Sequence, residues 1–385
     1  MTGGRLRIAY VDHCARLSGA EIALLRLIES LAEVDAHVIL GEDGPLVGSL
    51  REVGATVTVL PLHGSVASAR REASIGFDTA TGVVRDAVAL ARLLRRMRPD
   101  ALHLNSLKAY TYGTVAARLA RVPTLWHVHD RLARRTGLGA GTLALLRALL
   151  AVGADSVVAN SWSTRATLGR VPRRVRVTVV PPAYRPRSEP APLRPEVARV
   201  GIVGRLAPWK GQDVFLDAFA EAFAHSRVEA CVIGAPLFDR DHDFARGLVG
   251  QAARLGITDR VEFRGFRSDM EAELARLDVL VHASVDPEPF GQVVVEGLAA
   301  GVPVVAAADG GPTEILTADV NGLLTPPGAV PALAAALRRL ATDSELRARL
   351  RTAGLARARA FDPDVAARRV RECYATLSAG RRDRP

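Results

Sequence analysis

Short runs of β-branched and aliphatic residues recur along this chain, separated by longer stretches in which apolar residues return every three or four positions. In the first half the short runs are Arg7–Val11, His37–Leu40, Thr56–Leu60, Ala101–Leu104, Thr124–His127 and Ser156–Ala159. They read as strands covered on both faces. Between them, Glu21–Ala32, Asp86–Arg98 and Gly139–Ala151 carry the apolar stripe of an amphipathic helix. This alternation predicts βαβ units, and hence a parallel sheet with helices on both sides. The pattern breaks at Pro181, Pro182, Pro186, Pro190, Pro192 and Pro195, a density that forbids both a helix and a central strand. It then restarts with Val200–Val203, Glu229–Ile233, Val261–Arg264, Val279–His282 and Val302–Ala306 as strands. From Ala332 onward the chain is nearly all helix-forming, with Pro331 placed to start a helix.

The expected organisation is therefore α/β, with two Rossmann-like doubly wound domains facing across a cleft. The boundaries are 1–185 for the first domain, 186–198 for a proline-rich linker and 199–360 for the second domain. A C-terminal helix over 361–385 is expected to pack back on the first. In open sheets of this kind, ligands bind outside the carboxyl ends of the strands.

Composition narrows the choice of class. The chain has 385 residues, 49% of them apolar and 24% charged, the balance of a globular protein with two cores. Its longest uncharged run, Val320 to Leu337, contains Pro326, Pro327, Gly328 and Pro331 and cannot be one continuous spanning helix. Ile8–Val11 is followed at once by Asp12 and His13, unlike a signal peptide. Three widely separated cysteines make neither a disulfide framework nor a zinc pattern, so a cytoplasmic setting is expected. Charge is uneven. Residues 1–190 hold 26 Lys+Arg against 15 Asp+Glu, a net of about +11, while the remainder nets about −1. Two readings of the clusters Arg92, Arg95, Arg96, Arg98 and Arg170, Arg173, Arg174, Arg176 stay open. They draw an anionic membrane surface or a phosphorylated acceptor, or they simply solvate helix faces. Few aromatic residues interleave them, so nucleic acid is not an expected partner.

Two constellations carry chemistry. The first follows the strand Val200–Val203 and reads Gly204-Arg205-Leu206-Ala207-Pro208-Trp209-Lys210-Gly211. A glycine directly after a strand lets the backbone turn toward a ligand. Arg205 and Lys210 place two cations beside the start of the next helix, where a diphosphate would also meet free N–H groups. Lys108 and Lys210 are the chain's two lysines among 51 basic residues, so a compact ammonium is wanted at 210. A Walker A loop is excluded, because Trp209 and Gly211 flank the lysine where Gly and Ser/Thr are needed.

The second constellation runs from Asp286 through Glu288-Pro289-Phe290-Gly291-Gln292 to Glu296. Glu288 falls in a proline-stiffened loop after the strand Val279–His282. Glu296 falls inside the helix that Phe290-Gly291 introduces. Two carboxylates so placed suit hydrogen bonds to vicinal hydroxyls, one set on a hexose and one on a ribose.

Glu288 to Glu296, with seven residues between, resembles the E-x7-E motif of family 4 glycosyltransferases. Gly204-Arg205-Leu206 to Lys210-Gly211 is similar to that family's G-R-x-x-x-x-K-G loop. Ser18-Gly19-Ala20-Glu21, His127-Val128-His129-Asp130, Gly310-Gly311-Pro312-Thr313-Glu314 and Asn321-Gly322-Leu323-Leu324 extend the resemblance over most of the chain. It implies a GT-B fold and retaining transfer from a nucleoside-diphosphate sugar bound mainly by the C-terminal domain. It further implies that Arg205 and Lys210 bind the diphosphate, that Glu288 holds the sugar hydroxyls and that Glu296 binds the ribose. Gly204 and the Phe290-Gly291-Gln292 backbone would line the donor pocket, with the Gly19-Ala20 loop closing over the phosphates and His129 approaching the sugar. Many members carry a second glycine where Ser18 stands, which makes that loop stiffer here.

No metal or other cofactor is expected. His127 and His129 share a face with no third ligand nearby, and Asp130 projects away. Asp239-x-Asp241-x-Asp243 lacks the glycine of a calcium loop, having Phe244 in its place, and reads as a solvated loop. Arg205, Lys210 and helix N-termini can stabilise a departing diphosphate. No carboxylate is assignable as a nucleophile, so front-face attack is expected, with the leaving phosphate oxygen taking the acceptor's proton. The expected acceptor is a membrane-linked or phosphorylated glycan or lipid, or else a natural-product scaffold. A nucleotide-sugar epimerase, or a membrane- or nucleic-acid-binding protein without catalysis, is the alternative class.

Overall fold

The computed structural model describes residues 5–64, 77–134, 138–186, 189–190 and 192–382. Residues 187, 188 and 191 of the expected linker, 383–385 of the expected C-terminal helix, and 1–4, 65–76 and 135–137 of the expected first domain lie outside them. The chain divides into two compact units, Met1–Ala183 with Pro363–Pro385, and Tyr184–Asp362.

The first unit is built on seven parallel strands. They are β1 (Leu6–Asp12), β2 (Val34–Leu40), β3 (Thr56–Val59), β4 (Ala101–Leu104), β5 (Thr124–Val128), β6 (Ser156–Ala159) and β7 (Arg176–Val179). Their order is β3-β2-β1-β4-β5-β6-β7, so the winding reverses between β1 and β4. β4, β5 and β6 are buried at every position, as apolar runs between two helical layers should be. On one side, Leu90 and Leu94 of the helix Phe77–Met97 pack with Leu104, Tyr110 and Trp126. Trp126 stacks on Tyr110 with ring centroids 4.3 Å apart, and its indole N–H reaches Thr114 Oγ1 at 3.1 Å. The hydroxyl of Tyr110 in turn donates to the carbonyl of His127, pinning the end of β5.

The other face is closed from the far end of the chain. Ala366, Val370, Tyr374 and Leu377 of the helix Pro363–Arg382 recur at helical spacing and join Ile8, Tyr10, Leu24 and Val158 in one core. Tyr374 is fully buried, and its hydroxyl meets Tyr10 Oη at 3.2 Å and His103 Nδ1 at 2.6 Å.

Six parallel strands form the second unit. These are β8 (Arg199–Val203), β9 (Glu229–Ile233), β10 (Val261–Gly265), β11 (Val279–His282), β12 (Val304–Ala307) and β13 (Leu323–Thr325). The order β10-β9-β8-β11-β12-β13 reverses between β8 and β11. The proline-rich run is anchored here. Tyr184 N–H donates to Phe361 O at 3.0 Å and Arg194 pairs with Asp278 at 2.8 Å. The buried Arg347 donates to the carbonyl of Pro195 and to that of Leu340, near the end of the helix Val330–Thr342. A guanidinium set on free carbonyls at a helix C-terminus is compensated by the dipole as well as by hydrogen bonds.

Two strands, β7 and β13, were not among the runs singled out from the sequence. β7 is a four-residue edge strand, Arg176-Val177-Thr178-Val179, and β13 has three residues.

Candidate active site

The polar side chains concentrate at the strand ends beside each reversal point. In the second unit the centre is Glu288, buried in the loop after β11. Its Oε2 is 2.7 Å from Lys210 Nζ, 3.0 Å from Ser284 Oγ and 3.3 Å from His282 Nε2. Burial alone would raise the carboxyl pKa, but the Lys210 charge and the His282 hydrogen bond outweigh it and hold Glu288 well below the usual carboxylate range. Lys210 and Glu288 are 78 positions apart and belong to the two separate constellations read from the sequence. The fold makes them one ion pair. His282 and Ser284 were not anticipated, since nothing in a lone strand end tells which neighbouring loop it will meet.

Backbone geometry explains why glycines flank this pair. Gly211 has φ +70°, and a side chain there would place its Cβ 2.1 Å from Ala283 O, against the strand end that carries His282 and Ser284. Gly310, with φ +73°, lies against Glu288, and a Cβ would sit 2.1 Å from the Glu288 carbonyl. Gly311 N–H donates to that same carbonyl at 2.8 Å. The Gly310-Gly311 turn thus holds the loop that presents Glu288.

Arg205 and Lys210 are brought together by an aromatic ring. Lys210 Nζ lies 4.2 Å from the Trp209 ring centroid, and the Arg205 guanidinium carbon lies 5.6 Å from it and 5.0 Å from that of Phe238. Arg205 Nε is 3.6 Å from Asp241 Oδ2. Asp241 is not part of a solvated loop. It lies on the helix Asp239–Arg254 and is buried, because that helix packs the carboxylate against Arg205. Glu296 is buried on the helix Gln292–Ala299, whose first turn follows Gly291 in a left-handed conformation at φ +95°. Phe290 is buried in the apolar cluster with Val294 and Leu298.

In the first unit the corresponding strand ends hold Asp12 and His13, Asn105 and Ser106, and His127 and His129. Asp12 is fully buried and accepts from Asn105 Nδ2 at 2.7 Å and from His13 N–H at 2.6 Å. Burial opposes ionisation, yet hydrogen bonds from His13 and Asn105 and the His13 charge bring its pKa below the usual value. Asn105 also spans to Ala20 O at 3.3 Å and to His129 Nε2 at 2.9 Å, so Gly19-Ala20 and His129 are gathered around one amide. The rings of His127 and His129 are 4.0 Å apart, and His127 Nδ1 is 3.2 Å from His103 Nε2. Burial lowers all three histidines, His129 to about 4 and His103 to about 3. Glu21 moves the other way. Burial and the Asp12 charge push it up to about 7, and its neighbours are Ser18 Oγ and, at 3.4 Å, Cys14 Sγ. Asp12, His13 and Cys14 are the group whose donor atoms lie close enough to hold a metal ion among the described residues. That group is already engaged in these internal hydrogen bonds.

The basic clusters lie in the first unit. Arg92, Arg95, Arg96, Arg98, Arg170, Arg173, Arg174 and Arg176 are all exposed. Part of this charge has a structural task, since Arg174 donates to the carbonyls of Ala151 and Ala154 at the end of the helix Ala140–Gly153. No described helix is long and apolar enough to cross a membrane.

Comparison with known proteins agrees with this layout. Residues 187–357 match the family described as glycosyl transferases group 1, and residues 18–183 match the glycosyl transferase 4-like domain. An exopolysaccharide phosphotransferase of Streptomyces coelicolor is 30% identical over 77% of this chain, of which the chain spans only 31%. A D-inositol 3-phosphate glycosyltransferase of Acidothermus cellulolyticus is 30% identical over 74% of this chain and 68% of that protein. Among solved structures, HepE of Anabaena in complex with UDP-glucose is 27% identical, with a TM-score of 0.83 over 96% of this chain and 100% of that one.

Proposed function

Because this chain belongs to the group 1, family 4 glycosyltransferases and has the GT-B fold, we propose that it moves a hexosyl group from a nucleoside-diphosphate sugar to a membrane-linked or phosphorylated acceptor, with retention of configuration. The observation that carries the reading is the pair of half-buried Lys210 with buried Glu288, with Arg205 on the same indole ring. Lys210 and Arg205 meet the diphosphate, assisted by the positive end of the dipole of the helix Gln292–Ala299. All three protein donors sit on Glu288 Oε2, which leaves Oε1 to accept from hydroxyls of the sugar. Glu296 takes the ribose hydroxyls, while Gly204 and the Phe290-Gly291-Gln292 backbone line the donor pocket. In the first unit, Gly19 and Ala20 are not in a loop but open the helix Gly19–Ser30; we assign them to the donor's phosphates and His129 to its sugar.

Transfer then needs no protein nucleophile. The bond from the anomeric carbon to the leaving phosphate oxygen breaks as the bond to the acceptor oxygen forms on the same face. The acceptor's proton passes to that phosphate oxygen, whose developing charge Lys210 and Arg205 stabilise. UDP-glucose bound to HepE supports this donor class, and the inositol phosphate named for the Acidothermus relative supports a phosphorylated acceptor. The exposed arginines of the first unit supply a field for such an acceptor.

The test is a thermal-shift titration with UDP, GDP and ADP, since a ligand that binds the native state raises its stability by mass action. One nucleotide raises the Tm of the wild type, and Glu296→Ala loses most of that rise. A wild type indifferent to all three nucleotides would falsify the donor site. Retention is read from the anomeric coupling of the product by NMR; an inverted product rejects the front-face route.

A further inference from the structure

The hydrogen-bond chain Asp12–Asn105–His129 has a direction that can be worked out from its ends. Asp12 ends β1 without solvent exposure, and as a carboxylate it only accepts. The amide nitrogen of Asn105 is 2.7 Å from Asp12 Oδ2 and 3.3 Å from the carbonyl of Ala20. Both neighbours are acceptors, so the NH₂ group must face them. The oxygen, Oδ1, must then face His129 Nε2, 2.9 Å away. An amide oxygen has no proton to give, so Nε2 carries the hydrogen. His129 is buried and neutral near pH 7, which leaves Nδ1 as a bare lone pair. That nitrogen has no hydrogen-bond partner among the described residues and is closed to solvent. The backbone is held as well, because Asn160 Nδ2 donates to the His129 carbonyl at 2.9 Å.

We propose that Asp12 and Asn105 are positioning residues that lock His129 in its Nε2–H tautomer, so that Nδ1 serves as a fixed acceptor for one hydroxyl of the substrate. A side chain set in this way holds an O–H in place and gives up no proton at that nitrogen. Asp12 acts at one remove. It orients the amide, the amide selects the tautomer, and the tautomer decides that the site takes a donor and refuses another acceptor. That the hydroxyl belongs to a sugar rests on the glycosyl-transfer reading, whereas the tautomer does not.

The test uses the full chain labelled with ¹⁵N-histidine and long-range ¹H–¹⁵N correlation at pH 7, with His129 assigned by the signals lost in His129→Gln. The wild type shows His129 purely as the Nε2–H form. Asn105→Leu removes the acceptor and gives a mixture of tautomers. Asp12→Asn, which lets the amide turn over, gives a smaller admixture. Turnover per bound donor in Asn105→Leu falls tenfold or more, while its thermal response to UDP or GDP in the second unit is kept. An Nδ1–H signal in the wild type overturns the proposal, and so do His129 signals unchanged in Asn105→Leu. If Asn105→Leu does not fold, the wild-type spectrum still decides. Absence of any nucleotide response in the wild type would instead sink the glycosyl-transfer reading and leave the tautomer result standing.

Discussion

The two units share a winding, yet they solve the burial of polar groups at the reversal point in opposite ways. The second brings full charges together. Glu288 is desolvated, but an ammonium 2.7 Å away keeps it ionised. The first buries an anion, Asp12, on hydrogen bonds from Asn105 and His13 and packs three neutral imidazoles beside it. His103, His127 and His129 feel Asp12 or Asp130 at most from a distance, and desolvation wins. What separates the outcomes is the reach of the compensating charge. A contact ion pair offsets burial, whereas a carboxylate several ångströms off does not. The second site is therefore suited to moving charge, and the first to reading the direction of a hydrogen bond.

The largest expected effect comes from breaking the charged side. Lys210→Met leaves Glu288 buried without its cation and should cost about 3 kcal/mol of stability in denaturant titration and on the order of 10³ in transfer rate. Adding Glu288→Gln should restore much of the stability and none of the rate. If Lys210→Met is as stable as the wild type, the pair does not compensate burial. On the neutral side, His129→Ala should slow transfer by about 10- to 100-fold, a smaller loss because only a hydrogen bond is removed; a loss matching that of Lys210→Met would erase the contrast.

Glu21 sharpens the comparison through pH. Its folded pKa of about 7 stands above the ordinary 4.5, so between those values the folded state keeps a proton that the unfolded chain has lost. Stability therefore falls as pH rises through that window and levels off above it, by about 3 kcal/mol. Glu21→Gln should flatten this dependence, seen as a smaller Tm difference between pH 5 and pH 8, and an unchanged difference would show that another group titrates there. The smallest effect is expected for Asp241→Asn. Removing the anion 3.6 Å from Arg205 should tighten nucleotide diphosphate binding by roughly threefold, and weaker binding in calorimetry would mean that Asp241 orients the guanidinium instead.

The fold was largely legible because buried parallel strands write themselves as short apolar runs. β7 was missed because a four-residue edge strand that opens on an exposed arginine leaves a weak pattern, and β13 because three residues leave none. In the candidate site, Arg205, Lys210, Glu288 and Glu296 stood out by spacing within local motifs. His282, Ser284, Asp12 and Asn105 did not. Their meaning depends on which strands lie side by side, and that order is a property of the sheet. Asp241 was misread for a related reason, since a run of alternating aspartates looks solvated until a helix turns one of them inward against Arg205.

The helix Pro363–Arg382 sets a timetable for the molecule. The chain leaves the first unit at Ala183 and returns to it only at Pro363. During synthesis the half that emerges first therefore waits, with Tyr10, His103 and Val158 lacking their cover, until Pro363–Arg382 clears the ribosome. The half translated second can close on itself before the first is finished. A messenger cut short before codon 363 would then yield a sound second unit joined to an open first one, so synthesis of this helix is itself the step that shuts the first core.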